Sequence, residues 1–221
     1  MSSRPIRSYV LRQGRTTPAQ KRALEQLAPK YLLGFKDEAI SVQAIFGRNA
    51  PLVLEIGSGM GETTAAIAQA HPEADFIAVE VHGPGVGSLL NRIESLQLGN
   101  LRVIRHDAVE VLAKMIADSS LAALHLFFPD PWPKKRHHKR RLVQPEFAAL
   151  AARKLAPGGT LHAATDWPDY VEHMNEVFRC EPLLEKAKAG FTARPSTKFE
   201  ARGKRLGNPI SDLYWRRRTG A

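Results

Sequence analysis

Leu52-Val53-Leu54-Glu55-Ile56-Gly57-Ser58-Gly59-Met60-Gly61-Glu62 is an apolar run that breaks into alternating glycines and then into a helix-forming stretch. The run reads as a strand, the glycines as a tight turn that lets backbone approach a ligand, and the residues after them as the start of a helix. Such a loop suits a nucleotide-like cofactor. A dinucleotide fingerprint requires glycine where Glu62 stands, so a nicotinamide dinucleotide fits badly. Glu62 also brings negative charge to a helix N-terminus, where a pyrophosphate would be repelled. S-adenosylmethionine has no phosphate and carries a sulfonium and an ammonium, so acids around this loop favour it electrostatically.

Outward from the loop, short apolar runs alternate with amphipathic segments of helical length, the pattern of βα units feeding a mostly parallel sheet. Phe76 to Val81, Leu101 to Arg105, Leu121 to Phe127 and Thr160 to Thr165 are expected as strands, with helices starting near Thr63, Gly87, Ala108 and Pro145. Leu155-Ala156-Pro157-Gly158-Gly159 is expected to end a helix and turn into the next strand. Beyond Trp167 a helix is expected to Phe178, then a stretch of Lys, Pro and Gly without clear pattern, then a last strand at Leu213-Tyr214-Trp215. Before the loop, one helix is expected over about Pro18 to Leu33, with a boundary between residues 36 and 50. The division is a basic arm and helix over 1–40 and a catalytic domain over 41–221.

Two further acids keep step with Glu55. Glu80 closes the second strand, about 20 residues past the loop, where a carboxylate can accept hydrogen bonds from a ribose. Asp107 follows the third strand, where it serves either as the cap of the helix at Ala108 or as a ligand contact; its alignment with Glu55 and Glu80 favours contact. The spacing resembles that of class I methyltransferases, whose pattern would put Glu55 at the methionine end, Glu80 at the ribose and Asp107 at the adenine amino group. Gly57, Gly59 and Gly61 complete the cofactor set. The expected fold is therefore a Rossmann-like class I methyltransferase α/β fold, a mostly parallel seven-stranded sheet with helices on both faces plus the basic arm and helix.

After the fourth strand comes Pro129-Asp130-Pro131-Trp132-Pro133, a carboxylate and an aromatic ring in a loop stiffened by three prolines. A rigid turn with a buried tryptophan accounts for the composition alone, but position at the cofactor crevice points to holding a nucleobase taken out of its stack. Trp132 is expected to stack on that base or to brace the loop, and burial of tryptophans favours bracing. Eight basic residues follow: Lys134, Lys135, Arg136, His137, His138, Lys139, Arg140 and Arg141. Such runs are commonly solvated faces; beside a reaction centre, phosphate binding is the stronger reading. Adjacent histidines among cations make no metal site, and no metal is expected.

The chain carries 32 Lys and Arg against 22 Asp and Glu, a net charge of +10 that draws polyanions to its surface, nucleic acid before anionic membrane. Its 221 residues allow one substantial core. No apolar run is long enough to span a bilayer and the one cysteine, Cys180, closes no intrachain disulfide, which suits the cytoplasm. Arg4, Arg7, Arg12 and Arg15 precede the first acid, Glu25, as in an arm that orders on RNA or, less favoured, a transit peptide.

Phe128-Pro129-Asp130-Pro131-Trp132-Pro133-Lys134-Lys135-Arg136-His137 strongly resembles the signature of bacterial tRNA (guanine-N7)-methyltransferases. Arg7 to Arg15 is similar to that family's N-terminal arm, and Thr197-Lys198-Phe199-Glu200-Ala201-Arg202-Gly203 to its C-terminal substrate motif. The resemblance implies methyl transfer from S-adenosylmethionine to N7 of a guanosine in the tRNA variable loop. It makes Glu55, Glu80, Asp107 and Asp130 the acids of the cofactor site and reaction centre. It makes Lys134, Asp166, Thr197, Lys198, Phe199 and Glu200 substrate contacts, with Arg136, His137, His138, Lys139, Arg140 and Arg141 on RNA. Asp166 ends the fifth strand, so topology agrees independently; the Thr197 segment alone reads as an ordinary loop. The resemblance leaves monomer or homodimer open. Competing readings are a methyltransferase of exocyclic amines on RNA or DNA, a noncatalytic RNA-binding module with a Rossmann-like core, and a basic membrane-surface protein. The intact glycine loop with three aligned acids weighs against the second, and the want of a large amphipathic helix against the third.

Overall fold

A computed structural model describes residues 8–10, 14–195 and 210–220. Eight strands, β1 (Leu32–Leu33), β2 (Leu52–Ile56), β3 (Asp75–Val79), β4 (Leu101–Ile104), β5 (Leu121–Phe127), β6 (Leu155–Thr165), β7 (Leu184–Lys186) and β8 (Ser211–Arg217), form one sheet in the order β1-β4-β3-β2-β5-β6-β8-β7. All neighbouring pairs are parallel except those of β8, which runs antiparallel to both β6 and β7. The sheet has eight strands where seven were expected, and the two-residue β1 pairs Leu32 and Leu33 with Val103 and Ile104 at its edge.

The helices are α1 (Pro18–Gln26), α2 (Ala28–Tyr31), α3 (Val42–Phe46), α4 (Glu62–Ala70), α5 (Gly83–Ser95), α6 (Ala108–Lys114), α7 (Pro145–Lys154) and α8 (Pro168–Cys180), with a 3₁₀ helix over Lys135–Arg140. They cover both faces because β2 is buried on both. Leu52, Leu54 and Ile56 pack into one core with residues of α6, α7 and α8, while Val53 packs into a second with α1, α4 and α5. Alternation along the strand turns Glu55 to the α4 side, where the Thr64 hydroxyl donates to it.

Several boundaries differ from the sequence reading. The helix expected over Pro18 to Leu33 is two: Thr17 caps α1 in a capping box with Gln20, but Pro29 has no N–H to continue the ladder, so a turn at Leu27 separates α1 from α2. Helix α5 starts at Gly83, four residues before the expected Gly87. Its glycines, read as loop, are needed for close approach: a Cβ on Gly85 would lie 2.4 Å from the Gly59 carbonyl oxygen, and one on Gly87 2.6 Å from that of Gln20. Pro157-Gly158-Gly159 is no turn before β6 but a bulge inside it, the partner of Leu121 being Leu155 and that of Ala123 being Thr160, with Gly158 at φ +79°. The stretch without clear pattern contains β7.

Candidate active site

The strand order reverses between β2 and β5: the chain leaves β2 for β3 and β4 on one side and returns to β5 and β6 on the other. At such a switch point the carboxyl ends of the strands frame a crevice. Here it holds two cavities of about 540 and 340 Å³ that share Gly57, Phe127, Phe128 and Pro129 as walls. Glu80, Asp107 and Asp130 face the larger; Glu55, the glycine loop and Asp166 face the smaller.

The glycines at 57, 59 and 61 all take positive φ, +77°, +56° and +75°, a conformation that other residues adopt only under strain. Glu80 fixes this loop. One carboxylate oxygen accepts from the Gly59 N–H at 2.7 Å, and the other from the Val81 and His82 N–H groups at 2.7 and 2.8 Å. Glu80 is thus a loop anchor with acceptor capacity left toward the cavity. Glu80→Ala leaves three N–H groups without that acceptor and is expected to weaken adenosylmethionine binding by about 1 to 3 kcal/mol. Calorimetry checks this, and an unchanged dissociation constant would remove Glu80 from the site. One oxygen of Asp107 caps α6 by accepting from Val109 at 2.8 Å, and the residue also lines the larger cavity.

Burial pushes the Glu55 carboxyl up to about 7, the Thr64 bond pulling it down and the neighbouring Glu80 carboxylate adding to the rise. Ser58 Oγ, also buried on the smaller cavity, has no hydrogen-bonding partner among the described residues. A buried carboxylate, an orphaned hydroxyl and a Cβ-free turn fit the cationic, phosphate-free end of adenosylmethionine. A cation pairs with ionised Glu55 only, so a protonated free protein must first lose that proton. Affinity is therefore expected to fall about fivefold from pH 7 to pH 6, approaching tenfold per unit below that. Glu55→Gln keeps the acceptor for Thr64 and should bind more weakly with a flat profile; a pH-independent wild type would sink the pairing.

Asp130 is exposed at the larger cavity, on a loop in an unusual conformation. Phe128 and Trp132, on either side of Pro129-Asp130-Pro131, have φ of +52° and +46°. Left-handed backbone at bulky residues costs about 1–3 kcal/mol each and persists only where the surroundings impose it. At the Trp132 end, the indole N–H donates to the Ser8 carbonyl at 3.0 Å and the Arg140 guanidinium lies 3.9 Å over the ring. Arg141 donates to the Pro131 carbonyl at 2.9 Å and pairs with Asp169.

Residues 49–213 match the family described as "Putative methyltransferase". A tRNA (guanine-N(7)-)-methyltransferase from Nitrosospira multiformis is 54% identical, over 99% of this chain and 97% of its own. One from Thiobacillus denitrificans is 55% identical, over 96% of each. The chain belongs to the tRNA (guanine-N(7)-)-methyltransferase family. Among solved structures the fold is shared with 16S rRNA methyltransferase KamB, TM-score 0.57 at 15% identity over 85% of this chain and 99% of that one. It is shared too with the aminoglycoside resistance methyltransferase NpmB1, TM-score 0.55 at 14% identity over 80% and 91%.

In this member of the tRNA (guanine-N(7)-)-methyltransferase family the basic run divides in two. Lys134, Lys135, Arg136 and Lys139 are exposed on the 3₁₀ helix and its cap. Arg141 is 2% exposed, its guanidinium 4.8 Å over the Tyr170 ring, so it braces the loop from inside and does not face RNA as expected from sequence. Arg140 braces Trp132, and His137 meets the same ring edge-on. Partial desolvation, then the cations around it, pull His137 down from the ordinary histidine value. His138 is half-buried, its carbonyl held by Gln144. Thr197, Lys198, Phe199 and Glu200 lie outside the described residues.

Two placements were not legible in the sequence. Ser8, Tyr9 and Val10 of the arm line the larger cavity, the Ser8 carbonyl accepting from Trp132 at 3.0 Å and the Tyr9 carbonyl from Arg140 at 3.4 Å. Behind Phe127 and Phe128, His125 and His162 are fully buried, and Asp212 binds both His162 and Arg194. Burial pushes the Asp212 carboxyl up, but the bonds from His162 and Arg194 outweigh it and leave it well below the usual carboxylate range. Burial holds His125 at about 3, hence neutral.

Proposed function

We propose that this chain transfers a methyl group from S-adenosylmethionine to N7 of a guanosine in the tRNA variable loop, in the cytoplasm, giving 7-methylguanosine and S-adenosylhomocysteine. The observation that carries the proposal is Asp130, exposed in a braced loop beside the cofactor crevice and flanked by the exposed cations of the 3₁₀ helix. The names of the relatives support the choice of tRNA and of guanine N7.

Bound adenosylmethionine supplies a methyl group on a cationic sulfur, and guanine N7, which carries a lone pair and no proton, takes it by in-line displacement without a general base at that atom. The protein's task is alignment and charge. Glu55 and Ser58 would hold the methionine end, Glu80 the ribose and Asp107 the adenine amino group. Phe127 and Phe128 wall both cavities and keep water from the space between donor and base. Asp130 would accept from the guanine N1 and N2 edge, which selects guanine over adenine, and would stabilise the positive charge that grows on the purine. Lys134 and Asp166 flank that base, and the exposed cations take phosphates. Incubation with labelled cofactor and bulk tRNA, followed by nucleoside mass spectrometry, is expected to yield 7-methylguanosine. Label on an exocyclic amine, or none on tRNA, would overturn the proposal.

A further inference from the structure

The two strained residues that bracket Asp130 each carry a guanidinium against the ring: Arg140 over Trp132, and Arg194 5.4 Å over Phe128. Arg194 does not sit there by its own chain alone. Its Nε and Nη2 each donate to a separate oxygen of Asp212 at 3.1 Å, and Asp212 in turn lies 2.7 Å from His162 Nε2. His162 is edge-on to Phe127 at 4.9 Å, and Arg194 lies 5.9 Å over the same ring. Both aromatic walls of the crevice are thus backed by one polar cluster reaching from β8.

We propose that the Arg194–Asp212 pair is a positioning device for the reaction: seated by His162, it holds Phe128 in its left-handed conformation and so aims Asp130 into the crevice. The inference rests on the proposed function. The Phe128 N–H is tied to the Ala164 carbonyl at 2.7 Å, and the pair adds a constraint on its ring. Arg194 has a side chain only 5% exposed, and an ion pair so placed must offset its own desolvation, whereas apolar packing would stabilise the sheet edge at least as well. What a forked guanidinium adds is direction: two parallel hydrogen bonds fix its plane and hold its charge 5.4 Å from the centroid of the ring that precedes Asp130.

Arg194→Lys keeps the cation and loses both the fork and the flat face. Its single-turnover rate at saturating cofactor and tRNA is expected to fall about tenfold, because small displacements of an aligning group are expensive in rate. Adenosylmethionine affinity should stay within about twofold, since Glu55 and the glycine loop do not change. Asp212→Asn should behave the same way, and the double variant should lose no more than either single one, the mark of two residues acting through one contact. Phe128→Leu removes the ring beneath the guanidinium while leaving the ion pair intact, and should show the same fall even if the ion-pair variants fold poorly. A wild-type rate at saturation in folded Arg194→Lys or in Phe128→Leu would overturn the inference, as would a loss confined to tRNA affinity. Absence of N7 methylation by the wild-type protein would instead overturn the function on which it rests.

Discussion

Asp130→Ala is expected to lower the single-turnover rate of guanine N7 methylation about a hundredfold or more, the scale of losing one preorganised electrostatic contact to the transition state. Adenosylmethionine affinity should change far less, because Asp130 lines the larger cavity whereas Glu55 and most of the glycine loop line the smaller. The expectation follows from where charge moves. Displacement carries a positive charge from sulfur to the purine, so a carboxylate beside the base interacts more strongly with the transition state than with bound substrate. In the free protein the side chain is exposed, and its carboxylate has no hydrogen-bonding partner among the described residues; the base would take its place in water. Asp130→Asn separates charge from shape, keeping one acceptor for the guanine edge while losing the negative charge. If charge dominates, Asn recovers little of the rate; if it recovers most, Asp130 chiefly selects and orients guanine. Rapid-quench measurement at saturating cofactor and tRNA distinguishes these, and a near-wild-type rate in the alanine variant would remove Asp130 from the reaction centre.

The part of this site that could be read in advance is the part governed by local chemistry. Alternating glycines after an apolar run have few structural meanings, and the strand order then puts Glu55, Glu80, Asp107, Asp130 and Asp166 along one sheet edge, because each follows or ends a parallel strand. Helices with a proline or an aspartate at their start, α7 at Pro145 and α6 after Asp107, were legible for the same reason. Where distant contact decides, sequence was mute. Gly83 and Gly85 look like loop until Arg105 and Gly59 are seen to crowd them from other elements. Arg140 and Arg141 look like their neighbours in a basic run, and contacts from distant segments, the rings of Trp132 and Tyr170 among them, turn them inward. Asp212 and His162 lie 50 residues apart, and nothing in either segment signals the other. Short strands such as β1 and β7 carry too few residues for a period to be counted.

Replacing Lys135, Arg136 and Lys139 together with Ala is expected to weaken tRNA binding and to make the slope of log affinity against log salt shallower by about 2 to 3 units, if each contacts one phosphate. The choice of residues comes from the division of the basic run: these three are exposed, whereas Arg140 and Arg141 are engaged with Trp132, Tyr170 and Asp169, so altering them would disturb the loop of Asp130 as well as any RNA contact. Adenosylmethionine affinity should be unaffected, since none of the three lines either cavity. A solvated face predicts a different pattern. Removing three charges from a chain of net charge +10 weakens long-range attraction at every salt concentration but releases no fewer bound counterions, so most of the slope is retained. Slope therefore discriminates where affinity at a single salt concentration does not. Dissociation constants at several salt concentrations, for wild type and triple variant with matching circular dichroism, provide the comparison. Parallel plots would defeat the phosphate contacts and move the RNA-binding surface to the arginines of the N-terminal arm and to the basic C-terminal strand, where Arg216, Arg217 and Arg218 stand in or beside β8.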